Sequence, residues 1–194
     1  MRFDYPEGAT PLDPDTIAGL IPNLSTQAEL NEFEARNILE AVIWAKRTRG
    51  ANGDMLILTT LRRLHEKMFA ITWQWAGQFR KAETNIGISP QHIPARLEQL
   101  CGNTRYQIEH KVFPWDELAA RFHHELVLIH AFPNGNGRHA RLATDILLER
   151  NGHPRFTWGS HSLTESSQKR RAYIEALQEA DQGDIERLLR FVRT

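Results

Sequence analysis

The sequence predicts a mainly α fold with a minor β element. Three observations carry this. Apolar residues recur at helical spacing along most of the chain. Helix-start and helix-stop residues bracket those stretches. The segment Arg80–His92 is short on helical periodicity, and within it Asn85-Ile86-Gly87-Ile88 reads as a hairpin or a loop.

The elements follow in order. Residues 1–13 carry Pro6, Gly8, Pro11 and Asp13 in close succession and read as an extended arm. Asp13 can cap a short helix that starts at Pro14, and Pro22-Asn23 stops it. Ser25–Arg47 is a longer helix with Leu30, Phe33, Ile38, Val42 and Ala45 at helical spacing. Thr26 with Glu29 three residues later is a capping-box pattern. Thr48–Asp54 reads as a connection. Met55–Ala70 presents Leu58, Leu61, Leu64, Met68 and Phe69 on one face. Pro94–His110 is helical, with Leu97, Leu100, Tyr106 and Ile108 expected inward. Pro114–His130 is the clearest helix: Leu118, Phe122, Leu126 and Ile129 advance by four, four and three. The run Phe132–Gly137 must break it. A helix restarts at Arg138 and ends near Arg150, before Asn151-Gly152. Two helices, Thr164–Ala180 and Asp184–Val192, close the chain.

Composition bounds the function. The chain has 194 residues, with 24 Lys plus Arg against 24 Asp plus Glu. Zero net charge argues against a polybasic, sequence-independent nucleic-acid binder. Hydrophobic residues make up 41%, which excludes a disordered composition. The lone cysteine, Cys101, rules out an internal disulfide and a cysteine-based zinc framework. The N-terminus lacks a signal pattern, and no apolar run approaches the roughly 20 residues of a membrane span. The expectation is a soluble, cytoplasmic chain with no membrane association.

The stretch from His130 to Arg141, HAFPNGNGRHAR, carries the chemistry. A glycine-punctuated loop feeding a helix N-terminus offers free amides and a positive dipole end to an anion. Gly135 and Gly137 permit positive φ and close approach by a phosphate. Asn136 adds an amide donor. Arg138 and Arg141 are three apart near the start of the new helix, and two guanidinium forks suit a di- or triphosphate. His130, at the rim, can accept a proton from a hydroxyl nucleophile. Asn134 offers an oxygen that Mg²⁺ accepts. These parts point to nucleotidyl or phosphoryl transfer onto a hydroxyl. Other chemistry-bearing residues have plainer readings. His123 and His124 lack the companions of a zinc site. His139 is expected to face solvent, the tryptophans to serve as core and interface anchors, and Lys169-Arg170-Arg171 to form a solvated face.

These residues resemble the Fic (filamentation induced by cyclic AMP) family, with matches at His130, Phe132, Gly135, Asn136, Gly137, Arg138 and Arg141. The stretches Leu64-His65 through Trp75–Arg80 and Tyr173 through Asp184 also resemble the family. The opening, Asp4-Tyr5-Pro6 through Pro14, resembles its mobile mystery protein B subgroup. The resemblance implies a Fic-type helical bundle with a small β-hairpin flap over the active site. It implies transfer of AMP from ATP, with Mg²⁺, to a Ser, Thr or Tyr hydroxyl of a target protein. His130 is then the base, Gly135–Gly137 with Arg138 and Arg141 hold the phosphates, and Asn85, Ile86 and Gly87 engage the target segment. Asn134 stands where the family places a metal-binding acid, so metal affinity should fall.

Ser25 and Glu29 are spaced as in the family's inhibitory helix, which implies a brake in cis by Glu29. An ordinary capping box explains the same residues. The expected division is an arm and short helix over 1–24, an inhibitory helix and connection over 25–53, and a catalytic core over 54–194. Two alternatives stay open: phosphate or another nucleotide as the transferred group, and a non-catalytic nucleotide-binding module of a mobile element. Expected partners are a hydroxyl-bearing protein, the chain itself through self-modification, and a helix-turn-helix neighbour, with no direct nucleic-acid binding.

Overall fold

The computed structural model describes residues 14–48, 53–160 and 166–194. The extended arm with its Asp13 cap, the centre of the Thr48–Asp54 connection and the start of the helix expected from Thr164 lie outside the described residues. Eight α-helices are described: α1 (Pro14–Ala18), α2 (Gln27–Arg47), α3 (Leu58–Phe69), α4 (Ile93–Glu109), α5 (Trp115–Ile129), α6 (Asn136–Arg150), α7 (Ser166–Asp181) and α8 (Glu186–Val192). No helix among the described residues is long and apolar enough to cross a membrane.

The centre of the molecule is α5, which is apolar on two sides. Leu118, Phe122, Leu126 and Ile129 join the main core with Leu61, Leu64 and Met68 of α3 and Ala143, Ile146 and Leu147 of α6. Ala119 and Ala120 face a second cluster, built with Leu148, Phe156, Ala176, Leu188 and Val192. The small alanine side chains let α7 and α8 close that side. Helix α2 covers the opposite flank through Leu30, Ala41 and Ala45. Its buried stripe also includes Glu34 and Asn37.

Two expectations need correction. No strand forms among the described residues, so the expected hairpin flap carries no β ladder. The one β-type pairing is an isolated bridge between Leu20 and Trp73. Residues 81–88 form an irregular loop. Its ends are held by the Arg80 guanidinium, which donates to the carbonyls of Ala82 and Ile88. A side chain thus closes the loop in place of cross-strand bonds. Tyr106, expected inward, is 57% exposed and stacks on His110 at 3.9 Å. The buried row of α4 runs through Ile93, Leu97, Leu100, Cys101 and Thr104, and Tyr106 falls out of phase with it.

Candidate active site

Helix α5 ends because His130 adopts the left-handed conformation, φ 50° and ψ 58°. That reverses the chain into a tight loop. Phe132 plugs the loop into the core, its ring 3.7 Å from that of His65. The Asn136 side chain then ties the loop to itself. Its Oδ1 accepts from the Phe132 N–H at 2.9 Å, and its Nδ2 donates to the Phe132 carbonyl at 2.7 Å. Asn136 was expected to present its amide to phosphate. Its buried side chain is instead consumed in shaping the loop, and only its backbone remains at the nest.

Gly135 caps α6 at φ 79°, and a Cβ there would lie 2.6 Å from the Phe69 ring. Both the backbone and the space therefore require glycine. Gly137 has nothing within 4 Å of its Cβ position, so its open side faces the approach to the helix N-terminus. The first intrahelical bond of α6 runs from the His139 N–H to the Gly135 carbonyl at 2.9 Å. The N–H groups of Asn136, Gly137 and Arg138 come before that bond and take no partner inside α6, as at any helix start.

Loop, flap and helices surround one cavity of about 1020 Å³. His130, the Asn134–Arg138 loop and Arg141 line it, together with Asn85, Ile86 and Gly87. The structure thus brings together every expected site residue except Glu29. The carboxylate of Glu29 accepts from the backbone of Ser25 at 2.8 Å and Thr26 at 2.9 Å, and Thr26 Oγ1 accepts from the Glu29 N–H. Glu29 completes a capping box in solvent, and the cavity wall excludes it. Those backbone donors hold its pKa below the usual carboxylate value. Its stabilising contribution is present above the ordinary carboxylate range and lost as pH falls through the depressed value. Glu29→Ala is therefore expected to lower the thermal midpoint above that range and to leave the turnover rate unchanged. Parallel melting and rate measurements check both.

The acid that meets the site is Glu34. It is 3% exposed, and Arg138 Nη1 donates to its Oε2 at 2.6 Å. Trp73 Nε1 donates to the other oxygen at 2.8 Å. The Arg138 guanidinium also lies over the Phe69 ring at 5.0 Å. Arg141 turns the other way, over the Tyr173 ring at 5.5 Å, and Tyr173 Oη pairs with His123 Nε2 at 2.8 Å. The two arginines therefore line one cavity with different supports.

Histidines frame the loop. The Gly77 N–H donates to His65 Nδ1 at 3.0 Å, and His65 Nε2 pairs with the Asn134 carbonyl at 3.0 Å. This pairing defines a neutral ring protonated on Nε2. Burial, then the neighbouring His139, holds its pKa well below the usual value. His139, expected in solvent, is buried and pairs through Nε2 with the Leu61 carbonyl at 2.9 Å. It lies on the side of α6 that packs on α3. Burial pushes its pKa down to about 4. His130 is also pushed down to about 4, by burial and then by the Arg80 charge. His123 falls to about 3, chiefly by burial.

All four rings are neutral near pH 7. Because their folded values lie below the unfolded one, they support the fold above about pH 6.5 and withdraw that support as pH falls toward 4. Chemical denaturation between pH 7 and 4 is expected to show a steady stability loss of several kcal/mol, since one pKa unit is about 1.4 kcal/mol.

The residues do not fit a protein-held divalent cation. Asn134 Oδ1 accepts from the Gly135 N–H at 2.5 Å, so it faces its own loop. Among the described residues no group of three or more His, Cys, Asp or Glu side chains converges.

Glu34 lines the cavity, and His65 and Arg80 hold the backbone at Asn134 and His130; the sequence reading gave none of the three a place at the site. The available signal for Glu34 was a carboxylate in phase with Leu30, Asn37 and Ala41 on α2. His65 and Arg80 lie in a stretch that resembles the family, but nothing local shows that they reach the carbonyls of Asn134 and His130, 69 and 50 positions away.

The Fic/DOC family model matches residues 56–148. The chain is 42% identical over 170 residues to the protein adenylyltransferase Fic of Nematostella vectensis, covering 84% of this chain and 38% of that protein. It is 29% identical over 143 residues to the Aedes aegypti protein of the same name, covering 72% of this chain and 27% of that one. It therefore spans well under half the length of these curated relatives. Among solved structures it is similar to Fic-1 (residues 134–508) of C. elegans, with TM-score 0.71 and 22% identity over 91% of this chain and 51% of that chain. It is also similar to the BepC protein of Bartonella tribocorum, solved with bound AMPPNP, with TM-score 0.67 and 19% identity over 88% of this chain and 87% of that one.

Proposed function

The chain carries a Fic domain, and from that premise we propose that it transfers AMP from ATP to a hydroxyl side chain of a target protein. One observation carries the reading. A neutral histidine sits at the reversal of α5, directly beside an amide nest that opens onto two arginines. The names of the relatives support the nucleotide and the group transferred.

In this reading the nest of Gly135–Gly137 receives the phosphates, and Arg138 and Arg141 orient the chain of anionic oxygens. The target hydroxyl oxygen attacks the α-phosphorus. A new oxygen–phosphorus bond forms, the bond to the bridging β-phosphate oxygen breaks, and pyrophosphate leaves. His130, on the wall of the cavity, takes the hydroxyl proton. Asn85, Ile86 and Gly87 line the target side, where an extended segment can add along the loop. Mg²⁺ would arrive on the phosphates of ATP.

The reading includes a brake in cis, with its acid reassigned. Helix α2, within the 25–53 segment, delivers Glu34 to Arg138 of the 54–194 core. A carboxylate there occupies one phosphate-binding fork and repels a terminal phosphate. Relief then requires α2 to shift or the pair to open. A helix-turn-helix neighbour is one candidate partner for that role.

The test is self-modification of the full chain with ATP and Mg²⁺, read by intact mass. A gain of AMP supports the reading, and a gain of phosphate alone replaces it with phosphotransfer. No gain, together with no binding of AMPPNP, removes nucleotide chemistry from the chain.

A further inference from the structure

Arg80 is a buried cation held almost entirely by carbonyl oxygens. Its Nε donates to the His130 carbonyl at 2.6 Å, its Nη1 to Ala82 at 2.9 Å, and its Nη2 to Ile88. Its own N–H donates to the Ala131 carbonyl at 3.0 Å. The nearest carboxylate, Glu83, is 4.0 Å away and 68% exposed. Three separate backbone segments thus meet on one guanidinium: the start of the 81–88 loop, its end, and the reversal at His130. The loop also rests on the histidine itself. Gly87 has φ 109°, and a Cβ there would stand 2.6 Å from His130 Cβ and 2.8 Å from Arg80 Nη2.

We propose that Arg80 is a positioning residue that clasps the 81–88 loop and the His130 backbone into one unit, so that the target-docking loop and the base are aligned together. The proposal rests on His130 being the base of the transfer. Burying a cation with no close carboxylate is costly, and only its satisfied donors offset that cost. The planar fork is what the arrangement uses. A guanidinium reaches three carbonyls in fixed directions, whereas an ammonium is a single point with rotating donors. Losing the clasp lets the histidine and the loop move independently. A misplacement of about 1 Å at a reacting group can cost about 100-fold in rate.

The experiment compares Arg80→Lys and Arg80→Met in the full chain, each first checked for cooperative thermal melting. Loop anchoring is read without nucleotide, by the rate of glutamyl-endopeptidase cleavage after Glu83. Alignment is read as the rate of AMP gain in a Glu34→Gln background, beside the Kd for AMPPNP. The expected result is faster cleavage in both variants, by about ten-fold through local opening. The AMP-transfer rate is expected to fall about 100-fold in Arg80→Met and less in Arg80→Lys, with AMPPNP affinity unchanged. If Arg80→Met does not melt cooperatively, Arg80→Lys alone carries the test. Wild-type cleavage and transfer rates in the folded variants would overturn the proposal. So would a loss of AMPPNP affinity as large as the loss of rate, which is the mark of general scaffolding. If the Glu34→Gln background itself transfers no AMP, the transfer reading fails separately. The cleavage rate then decides on the clasp: faster supports it, unchanged overturns it.

Discussion

His130→Asn is expected to reduce AMP transfer by about 10²- to 10⁴-fold, the usual contribution of a positioned general base. Asparagine is the informative replacement because position 130 sits at φ 50°. Asn tolerates that left-handed region, whereas Ala adds a backbone penalty of about 1–2 kcal/mol and confuses folding with catalysis. The melting temperature of His130→Asn should stay near wild type and AMPPNP affinity should be retained. A rate within ten-fold of wild type would remove His130 from the reaction. The pH profile is a second check. With its pKa pushed down to about 4, His130 is already unprotonated at neutral pH, so the wild-type rate should show no acid limb near 6.5. A limb at 6.5 in kcat/KM would mean that another group controls the reaction.

Glu34→Gln is expected to raise the self-modification rate by about 10- to 100-fold. The scale comes from Coulomb repulsion: two like charges about 6 Å apart at an effective dielectric near 20 cost about 3 kcal/mol. Glutamine keeps an oxygen for Trp73 Nε1 and turns its amide nitrogen toward Arg138, which removes both the charge and the acceptor there. The same change should weaken the fold, because Arg138 loses its ion-pair partner. A loss of about 1 kcal/mol should lower Tm by a few degrees in a chain of this size. An increased rate with a lowered Tm is the signature of a brake built from a structural contact. A lowered Tm with an unchanged rate would leave Glu34 a packing residue only. The comparison with Glu29→Ala separates the two acids of α2, since Glu29 touches only its own cap.

The choice between those acids marks where sequence reasoning stops. Both lie on α2, five residues apart, which places them about 140° apart around the helix axis. Only one can face the core. The capping box at Thr26 and Glu29 was legible because it spans three residues and needs no partner beyond its own helix start. Glu34 reads as a surface carboxylate until the docking angle of α2 brings it to Trp73 and Arg138. Tyr106 and His139 were misplaced for the same reason. Each sits near the boundary of an apolar face, and the rotation of its helix against its neighbours decides the side.

By itself, the sequence determined what is short-ranged. Helix positions follow from apolar spacing, and their ends from Pro, Gly and capping residues. The nest from His130 to Arg141 follows from glycines at defined offsets inside twelve consecutive residues. Tertiary structure decided which distant groups complete that nest. Glu34 reaches Arg138 across 104 positions, His65 reaches the Asn134 carbonyl across 69, and Arg80 reaches the His130 carbonyl across 50. It also made the 81–88 loop an arginine-held turn where a hairpin was expected. The physical reason is that backbone torsions and i-to-i+4 bonds act locally, whereas a buried charge takes its partner from whatever the packed helices bring within reach.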